Sequence, residues 1–344
     1  MKDKTQKRTY IKGAGILALF GVIAKIIGGL YRIPLTNILG AEGMGLYQLV
    51  FPVYALLLAL TSTAIPNLLA RQIARDPRGD FGYAVFYKAI KLLSIVGFVA
   101  TVILLIVCRP LAAMQGKEEM YIGYIVIAPS IFFVALMSTL RGWFNARLDM
   151  LPTALSTLFE QLIKLAAGLT LAILLRPYGV LIMTIGALLG VTISEFISLA
   201  IIATMYFVKG YRIKRPTIKI PSLALFSASI PFTVGGMILP FTYFLDSILI
   251  VNLLLLGGTA ATVAIGEYGI LTGTIGSLVS FPVVLTISLA IAVIPVIAAK
   301  KQKRDINGIK NNGCITMKLT LAFALPSAIG LMVLSDSIVR ILYP

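Results

Sequence analysis

Long apolar stretches alternate with short polar connections along the whole chain. Each stretch holds about 20 residues or more, which is the length of helix that crosses a hydrocarbon core of about 30 Å. Strands of a membrane barrel would be about half as long and would alternate apolar with polar residues, and these stretches do not. The pattern predicts nine helical spans, which run approximately over residues 13–39, 45–70, 85–107, 121–140, 151–175, 179–208, 223–256, 268–299 and 315–338.

The composition agrees with a chain that lies mostly in a membrane. Hydrophobic residues make up 59% of the 344 residues and charged residues only 12%, which is outside the range of soluble globular domains. The first stretch is too long for the core of a signal peptide and has no small-residue cleavage site after it, so we expect it to be a span. The predicted fold class is therefore an all-α, polytopic membrane protein.

The formal net charge of +17 suggests nucleic-acid binding until the positions of the charges are considered. With the N-terminus in the cytoplasm, 23 of the 30 Lys and Arg residues fall on inner segments, four on outer segments and three within spans. This is the positive-inside bias of membrane proteins. It predicts a cytoplasmic N-terminus, no nucleic-acid partner, and attraction of the inner segments to anionic inner-leaflet lipids.

The residues that usually carry catalysis or bind metals are scarce. The sequence has no histidine, which removes His-based proton relays and His metal sites. Cys108 and Cys314 are predicted to lie on opposite sides of the bilayer, where they cannot form a disulfide. The connections hold no catalytic constellation and no nucleotide motif. The sequence therefore predicts that the protein is not an enzyme and has no cofactor.

An internal repeat relates the two ends of the chain, with an offset of about 230 residues. Phe-Pro pairs at 51–52 and 281–282 occupy corresponding places in spans 2 and 8. Spans 1 and 7 each contain a glycine pair followed by a proline, and these candidate hinge residues are Gly28, Gly29, Pro34, Gly235, Gly236 and Pro240. Such interruptions in corresponding helices point to broken helices that line a midplane site.

The repeat predicts the domain organisation. Spans 1 and 7 both begin on the inner side, so the copies are parallel and related by an axis along the membrane normal. Residues 1–208 form a predicted N-terminal lobe of six helices, 209–221 a basic cytoplasmic linker, and 222–344 a partial C-terminal lobe with spans 7 to 9. Since half of a second lobe is missing, we expect the chain to be truncated at its C-terminus.

Arg32 is a permanent cation within span 1. It lies twenty residues after Lys12, so a straight helix would place it near the outer interface, where it could reach lipid headgroups. The alternative is that the interrupted helix turns Arg32 into a central cavity, where its planar fork suits phosphate. Lys25 lies two turns earlier on roughly the same face. It either extends a basic stripe with Arg32 or pairs with an acid of a neighbouring helix.

Spans 5 and 6 contain further polar side chains. Glu160, Gln161 and Lys164 are candidates for cavity residues, because polar groups within spans face protein or water rather than lipid. Glu160 four residues before Lys164 is the favourable helical order, so these two residues could instead neutralise each other. Glu195 in span 6 is interpreted mainly as a polar packing residue.

Asp246 in span 7 has no oppositely charged residue within one helical turn. An isolated carboxylate in a membrane is costly when charged, so we expect it to be protonated, paired across the lobes, or a site for a coupling cation. A cross-lobe pair with Arg32 would form a gate that breaks when an anionic substrate competes for the arginine.

Four sequence blocks resemble one family of membrane proteins. They are "GLYRIPLTNILGAEGMGLYQLVFPVYALLLAL", "RGWFNARLDMLPTALSTLFEQ", "LPFTYFLDSILI" and "EYGILTGTIGSLVSFPVVLTISLA". They are similar to the stage V sporulation protein B group, which belongs to the polysaccharide-exporter and lipid II flippase branch of the multidrug/oligosaccharidyl-lipid/polysaccharide flippase superfamily. The resemblance runs from about Lys12 to the last residue.

The resemblance implies a two-lobed, V-shaped, alternating-access transporter in the cytoplasmic membrane. Its expected substrate is an undecaprenyl-pyrophosphate-linked saccharide, moved outward for cell-wall, spore-cortex or polysaccharide synthesis. In the resembling flippases an arginine of the first helix lines the cavity, and Arg32 matches it by position. Ile33 stands where some lipid II flippases have an acid. A cation-coupled multidrug antiporter of the same superfamily is the alternative.

Overall fold

The computed structural model describes residues 2–62, 65–73, 76, 79–213, 230–280 and 305–343, with positions 282, 283, 286, 293, 296, 297, 300 and 301. All regular elements in these residues are helical, which confirms the predicted all-α fold class. The helices are α1 (Lys2–Ser62), α2 (Ile65–Ile73), α3 (Asp80–Met114), α4 (Tyr121–Ala146), α5 (Leu151–Leu175), α6 (Val180–Val208), α7 (Ile230–Leu256), α8 (Ala261–Gly269), α9 (Ile306–Val333) and α10 (Ser335–Leu342). Shorter helical turns cover Glu118–Met120 and Arg176–Tyr178, and a π-helical segment, Ile270–Ile275, continues α8.

Eight helical stretches among the described residues are long and apolar enough to cross a membrane. The first, Leu19–Ser62, holds 44 residues and contains most of predicted spans 1 and 2. Predicted span 8 begins earlier than expected, at Ala261, because the turn around Gly258 ends α7 just before it. Parts of the predicted linker and of spans 7 and 8, at 214–229 and at most positions of 281–299, lie outside the described residues.

Gly40 divides α1 into two antiparallel arms, residues 2–39 and 41–62. Its φ of 68° and ψ of −176° belong to a region that is accessible essentially only to glycine. The Arg32 guanidinium carbon lies 6.0 Å from the centre of the Phe51 ring, whereas a straight helix would separate these residues by about 28 Å. The chain therefore folds back at a single glycine, and α1 provides two spans.

The predicted interruption inside span 1 is absent, whereas the predicted break between spans 1 and 2 is present at Gly40. The backbone stays helical through Gly28, Gly29 and Pro34, and Gly40 is the non-helical residue inside α1. The prediction that the glycine pair and Pro34 break the helix is therefore wrong for this conformation. Helix α7 likewise runs continuously from Ile230 to Leu256 through Gly235, Gly236 and Pro240. Movement at these positions stays a prediction.

Helices α1 to α6 pack into one unit, which we call the N-terminal bundle. One cluster of buried apolar side chains joins both arms of α1 to α3, α4, α5 and α6 and extends to Val251 of α7 and Ile265 of α8. A second cluster joins α2, α3, α4 and α6. Trp143 on α4 is fully buried at the centre of the second cluster, beside Phe86 and Tyr206. Burial of this apolar surface within the protein fixes the arrangement of the six helices.

Helices α7 and α8 lie against the N-terminal bundle at one end, which we call the Gly40 end. The α3–α4 connection is also at this end. A Cβ on Gly269 would overlap the backbone of Gly45, so these two glycines let α8 and the second arm of α1 approach closely. The loop that contains Gly116 reaches α7, because a Cβ added to Gly116 would lie 3.0 Å from the Leu255 side chain.

A buried amide connects α7 to the bundle at the Gly40 end. Gln115 is fully buried and donates hydrogen bonds to the Leu49 carbonyl (2.9 Å) and to the Ser247 hydroxyl of α7 (2.8 Å). The Tyr124 hydroxyl donates in turn to the Gln115 side-chain carbonyl at 2.6 Å. In contrast, α9 and α10 contribute no buried residue to the described structure.

Candidate functional site

Arg32 lies where the N-terminal bundle meets the segment that follows α8. Its Nη1 donates a hydrogen bond to the Ser277 hydroxyl at 3.0 Å, and its side chain is half-buried. No carboxylate of the described residues lies within 4.0 Å of the guanidinium. Arg32 therefore faces the second part of the chain as an unneutralised cation, and it does so from an unbroken stretch of helix.

Three aromatic residues of the second α1 arm form a row that meets Arg32 at Phe51. The Tyr47 and Phe51 rings stack with centres 5.4 Å apart, and the Phe51 and Tyr54 rings meet edge to face at 5.7 Å. Tyr47 is within electrostatic range of both Arg32 and Lys164, a second cation on α5. The two cations thus both lie near one buried phenol.

Glu160 is the centre of a charged cluster inside the N-terminal bundle. Arg141 Nη2 lies 2.9 Å from Glu160 Oε2, and Lys164 Nζ lies 3.8 Å from Oε1. Gln161 donates to Oε1 at 3.0 Å, and Arg141 Nε also donates to the Ser156 hydroxyl at 3.1 Å. The predicted pair of Glu160 with Lys164 is present, but the shorter contact of Glu160 is to Arg141 on α4, which was not among the predicted site residues.

Glu195 on α6 completes this cluster. Its side chain is only 4% exposed, and Oε1 lies 4.0 Å from Lys164 Nζ. The Tyr54 hydroxyl donates to Oε1 at 3.3 Å. Glu195 Oε2 is buried without a hydrogen-bond partner among the described residues. Glu195 is therefore a member of an ionic cluster, and its interpretation as a packing residue was incomplete.

Gly28 has a packing role next to this cluster. A Cβ at Gly28 would lie 2.8 Å from the Gln161 side-chain oxygen, so the glycine makes room for α5 against the first arm of α1. A Cβ at Gly235, its counterpart in α7, would meet no atom within 4 Å. The two glycines therefore have different surroundings although they occupy corresponding places in the repeat.

Lys25 and Asp246 lie apart from the charged cluster. Lys25 is exposed, and no acid of the described residues pairs with it. Asp246 is half-buried on α7, within electrostatic range of Tyr268, and no cation of the described residues lies within 4.0 Å of it. The predicted pair of Asp246 with Arg32 is thus absent from this conformation. The described residues also contain no cluster of acids and cysteines suited to a metal ion.

The all-helical fold, with eight helical stretches among the described residues that are long and apolar enough to cross a membrane, agrees with the resemblance to polytopic transporters. Residues 10–301 match the model of the family described as "Polysaccharide biosynthesis protein", and the chain belongs to that family. The predicted resemblance to the flippase branch is thereby confirmed.

Two curated relatives from Bacillus subtilis (strain 168) illustrate the family. Stage V sporulation protein B is 26% identical to this chain over 349 aligned residues, which cover 98% of the chain and 67% of that protein. The lipid II flippase MurJ is 23% identical, with 94% of the chain and 64% of that protein covered. The chain spans about two thirds of the length of the curated relatives it matches.

Solved structures share the fold. A multidrug resistance MATE family transporter of the MOP superfamily in an inward-facing conformation matches with a TM-score of 0.71 and 17% identity, over 93% of this chain and 71% of that one. The outward-facing conformation of a MATE transporter of this superfamily matches with a TM-score of 0.69 and 17% identity, over 96% of this chain and 74% of that one. At such low identity the likeness concerns the fold alone.

Proposed function

We propose that the protein takes part in alternating-access transport of an undecaprenyl-pyrophosphate-linked saccharide, such as lipid II or a polysaccharide repeat unit, across the cytoplasmic membrane. The observation that carries this proposal is the Arg32 guanidinium, which has no acidic partner among the described residues and faces the contact between the bundle and the segment after α8. A pyrophosphate must lose much of its hydration to enter a protein interior. An arginine fork replaces that hydration with two parallel, charge-assisted hydrogen bonds.

The charges around Arg32 favour an anionic substrate over a cationic one. Lys164 is also within electrostatic range of Tyr47, and the Glu160 carboxylate is already engaged by Arg141. A cationic drug beside Arg32 would meet an unneutralised positive charge that has no carboxylate of the described residues within 4.0 Å. The antiporter alternative would need the opposite arrangement, because a cationic ligand is stabilised by unpaired acids.

The proposed transport cycle uses the two predicted lobes, 1–208 and 222–344, as rocking units joined by the basic linker 209–221. The proposed orientation has the N-terminus in the cytoplasm, so that the basic segments face anionic inner-leaflet lipids. Gly28, Gly29, Pro34, Gly235, Gly236 and Pro240 remain candidate hinges. Transport makes and breaks no covalent bond, so the proposal requires no catalytic residue and no cofactor.

Asp246 has a proposed role in coupling. Since it has no cation within 4.0 Å among the described residues, it is available either to a coupling cation or to Arg32 in another conformation. Neutralising it with Asp246→Asn should change the rate of transport and its dependence on membrane potential. Unchanged transport in this variant would remove Asp246 from the proposal.

Complementation tests the proposed function in cells. The chain is expressed in cells depleted of their lipid II flippase, and growth is recorded for the wild type, Arg32→Ala and Arg32→Lys, with membrane levels checked by immunoblot. We expect rescue by the wild type, partial rescue by Arg32→Lys and none by Arg32→Ala. Arg176→Ala, which removes an exposed arginine between α5 and α6, is the matched control and should rescue fully.

The same strains distinguish the two substrate classes. Exposure to cationic drugs should give equal survival with and without the chain if the substrate is an anionic lipid. Protection from these drugs without growth rescue would favour the multidrug antiporter and would contradict the proposal.

A further inference from the structure

The two carboxylates of the charged cluster, Glu160 and Glu195, differ in how well their oxygens are hydrogen-bonded. Both oxygens of Glu160 have partners within 3.0 Å, namely Arg141 and Gln161. The closest described partner of Glu195 is the Tyr54 hydroxyl at 3.3 Å, and its second oxygen is buried without a hydrogen bond among the described residues. An unsatisfied buried carboxylate oxygen is costly while the group is ionised. Of the two acids, Glu195 is therefore the one that gives up its charge more easily.

The groups that face Glu195 come from three other helices. They are Tyr54 on α1, Arg141 on α4, and Glu160 and Lys164 on α5. With both acids ionised, two cations and two carboxylates balance. A proton on Glu195 leaves one net positive charge in the cluster and removes one of the two carboxylates that hold Lys164, which lies 4.0 Å from Glu195 and 3.8 Å from Glu160.

The site suits a proton better than a metal ion. Lys164 Nζ already lies next to the Glu195 carboxylate, and Arg141 is close by, so a metal cation would be repelled by two fixed charges. A proton binds directly to the carboxylate oxygen and needs no coordination shell. Glu195 Oε2, which has no described partner, is the oxygen that is free to take it.

We propose that Glu195 is a proton-binding site whose protonation releases Lys164 toward the Tyr47 side of the bundle and so strengthens the binding of an anionic headgroup beside Arg32. The binding part of this inference rests on the proposed function. By linkage, a proton that raises headgroup affinity is itself bound more tightly when the headgroup is present. Binding of a proton and binding of an anionic lipid would thus strengthen each other. In exchange between a proton and a cationic drug, by contrast, binding of one weakens binding of the other.

The first experiment measures protonation of Glu195 without any substrate. Infrared difference spectra of the full chain in nanodiscs are recorded as the pH is lowered, for the wild type, Glu195→Gln and Glu119→Gln. Glu119 is 65% exposed and is the matched surface control. We expect a protonated-carboxyl band that grows as the pH falls and is missing only in Glu195→Gln. The same band in all three proteins would overturn the inference.

The second experiment measures the coupling. Binding of undecaprenyl pyrophosphate to the chain is followed at several pH values for the wild type, Glu195→Gln, Glu195→Asp and Lys164→Met. The titration of the headgroup itself is common to all four proteins, so differences between them report the cluster. We expect the affinity of Glu195→Gln to be high at every pH. The ratio of wild-type affinity to Glu195→Gln affinity should rise about fivefold or more as the pH falls. Glu195→Asp should retain the pH dependence and Lys164→Met should lose it.

The two experiments separate failure of this inference from failure of the proposed function. If Glu195→Gln keeps the pH dependence of the wild type, the coupling inference is wrong although the substrate class stands. If the chain binds undecaprenyl pyrophosphate no better than undecaprenol at any pH, the proposed function is wrong, and the infrared spectra still decide whether Glu195 binds a proton.

Discussion

The Arg32 guanidinium and the Ser277 hydroxyl, 245 positions apart in the sequence, are joined by a hydrogen bond of 3.0 Å. The bond connects the first arm of α1 to the segment that continues α8. Because serine is neutral, it orients the arginine without cancelling its charge. The positive charge therefore remains available to a ligand that enters between these two parts of the chain.

Substitutions at Ser277 should separate the orientation of Arg32 from its charge. Ser277→Ala removes one neutral partner and should change the affinity for a pyrophosphate lipid by less than about tenfold. Ser277→Asp places a carboxylate against the guanidinium, so we expect a loss of more than about tenfold. Binding to the purified chain is the measurement. Equal effects of the two variants would show that the charge of Arg32 is not what the ligand uses.

Gly40→Ala should destabilise the protein because the turn between the two arms of α1 requires a glycine. A side chain at φ 68° and ψ −176° costs about 1–3 kcal/mol. Gly21→Ala is the matched control, since Gly21 is helical and a Cβ there meets no atom within 4 Å. We expect the control to be neutral or slightly stabilising. Unfolding in detergent gives both free energies, and equal values would argue against the single-glycine turn.

Arg141→Met should be among the most destabilising substitutions in the bundle. It removes the closest partner of Glu160, whose side chain is 13% exposed, and breaking such a pair costs about 3 kcal/mol or more. Combining it with Glu160→Gln should restore part of the loss, because no uncompensated carboxylate then remains.

Lys209→Ala provides the comparison for a surface pair. It removes the partner of Asp149 at a site where the lysine is 39% exposed, so solvent screening limits its effect to about 0–1 kcal/mol. The measurement is the unfolding free energy of the wild type, Arg141→Met, the double variant Arg141→Met/Glu160→Gln and Lys209→Ala.

A double variant as unstable as Arg141→Met alone would show that loss of the Arg141–Glu160 contact is not the cause of the instability.

Gln115→Leu should weaken the connection between α7 and the bundle at the Gly40 end. It leaves Ser247, the Leu49 carbonyl and Tyr124 without the amide that they share, at a cost of about 1–3 kcal/mol. Gln72→Leu on α2, where the glutamine is half-buried, is the control. Spin labels on α7 and α4 should report a broader distance distribution in Gln115→Leu only. Unchanged distances would show that packing alone holds α7.

The helical spans were predictable because the thickness of the bilayer fixes the length of each apolar run. The gap between spans 1 and 2 was predictable in the same way, but the single-glycine turn at Gly40 was not, since a glycine in an apolar pattern does not reveal its backbone angles. The start of α9 was missed as well, although Asp305 gives the signal: its carboxylate accepts a hydrogen bond from the Gly308 backbone N–H at 2.8 Å and caps the helix nine residues before the predicted start.

The charged cluster was only half predictable. Glu160, Gln161 and Lys164 are neighbours on one helix, so their spacing predicts that they meet. Arg141 and Glu195 lie on two other helices, and their contact with Glu160 and Lys164 depends on how α4, α5 and α6 pack. The available signal was that both are charged residues in or beside predicted spans, where an unpaired charge is costly.

Binding of a pyrophosphate lipid by the purified chain tests the central claim most directly. Native mass spectrometry compares undecaprenyl pyrophosphate with undecaprenol, which lacks the phosphates, for the wild type, Arg32→Ala and Arg176→Ala. The account predicts a preference of about tenfold or more for the pyrophosphate in the wild type and in Arg176→Ala, and its loss in Arg32→Ala. Equal binding of the two lipids by the wild type, or an unchanged preference in Arg32→Ala, would contradict it.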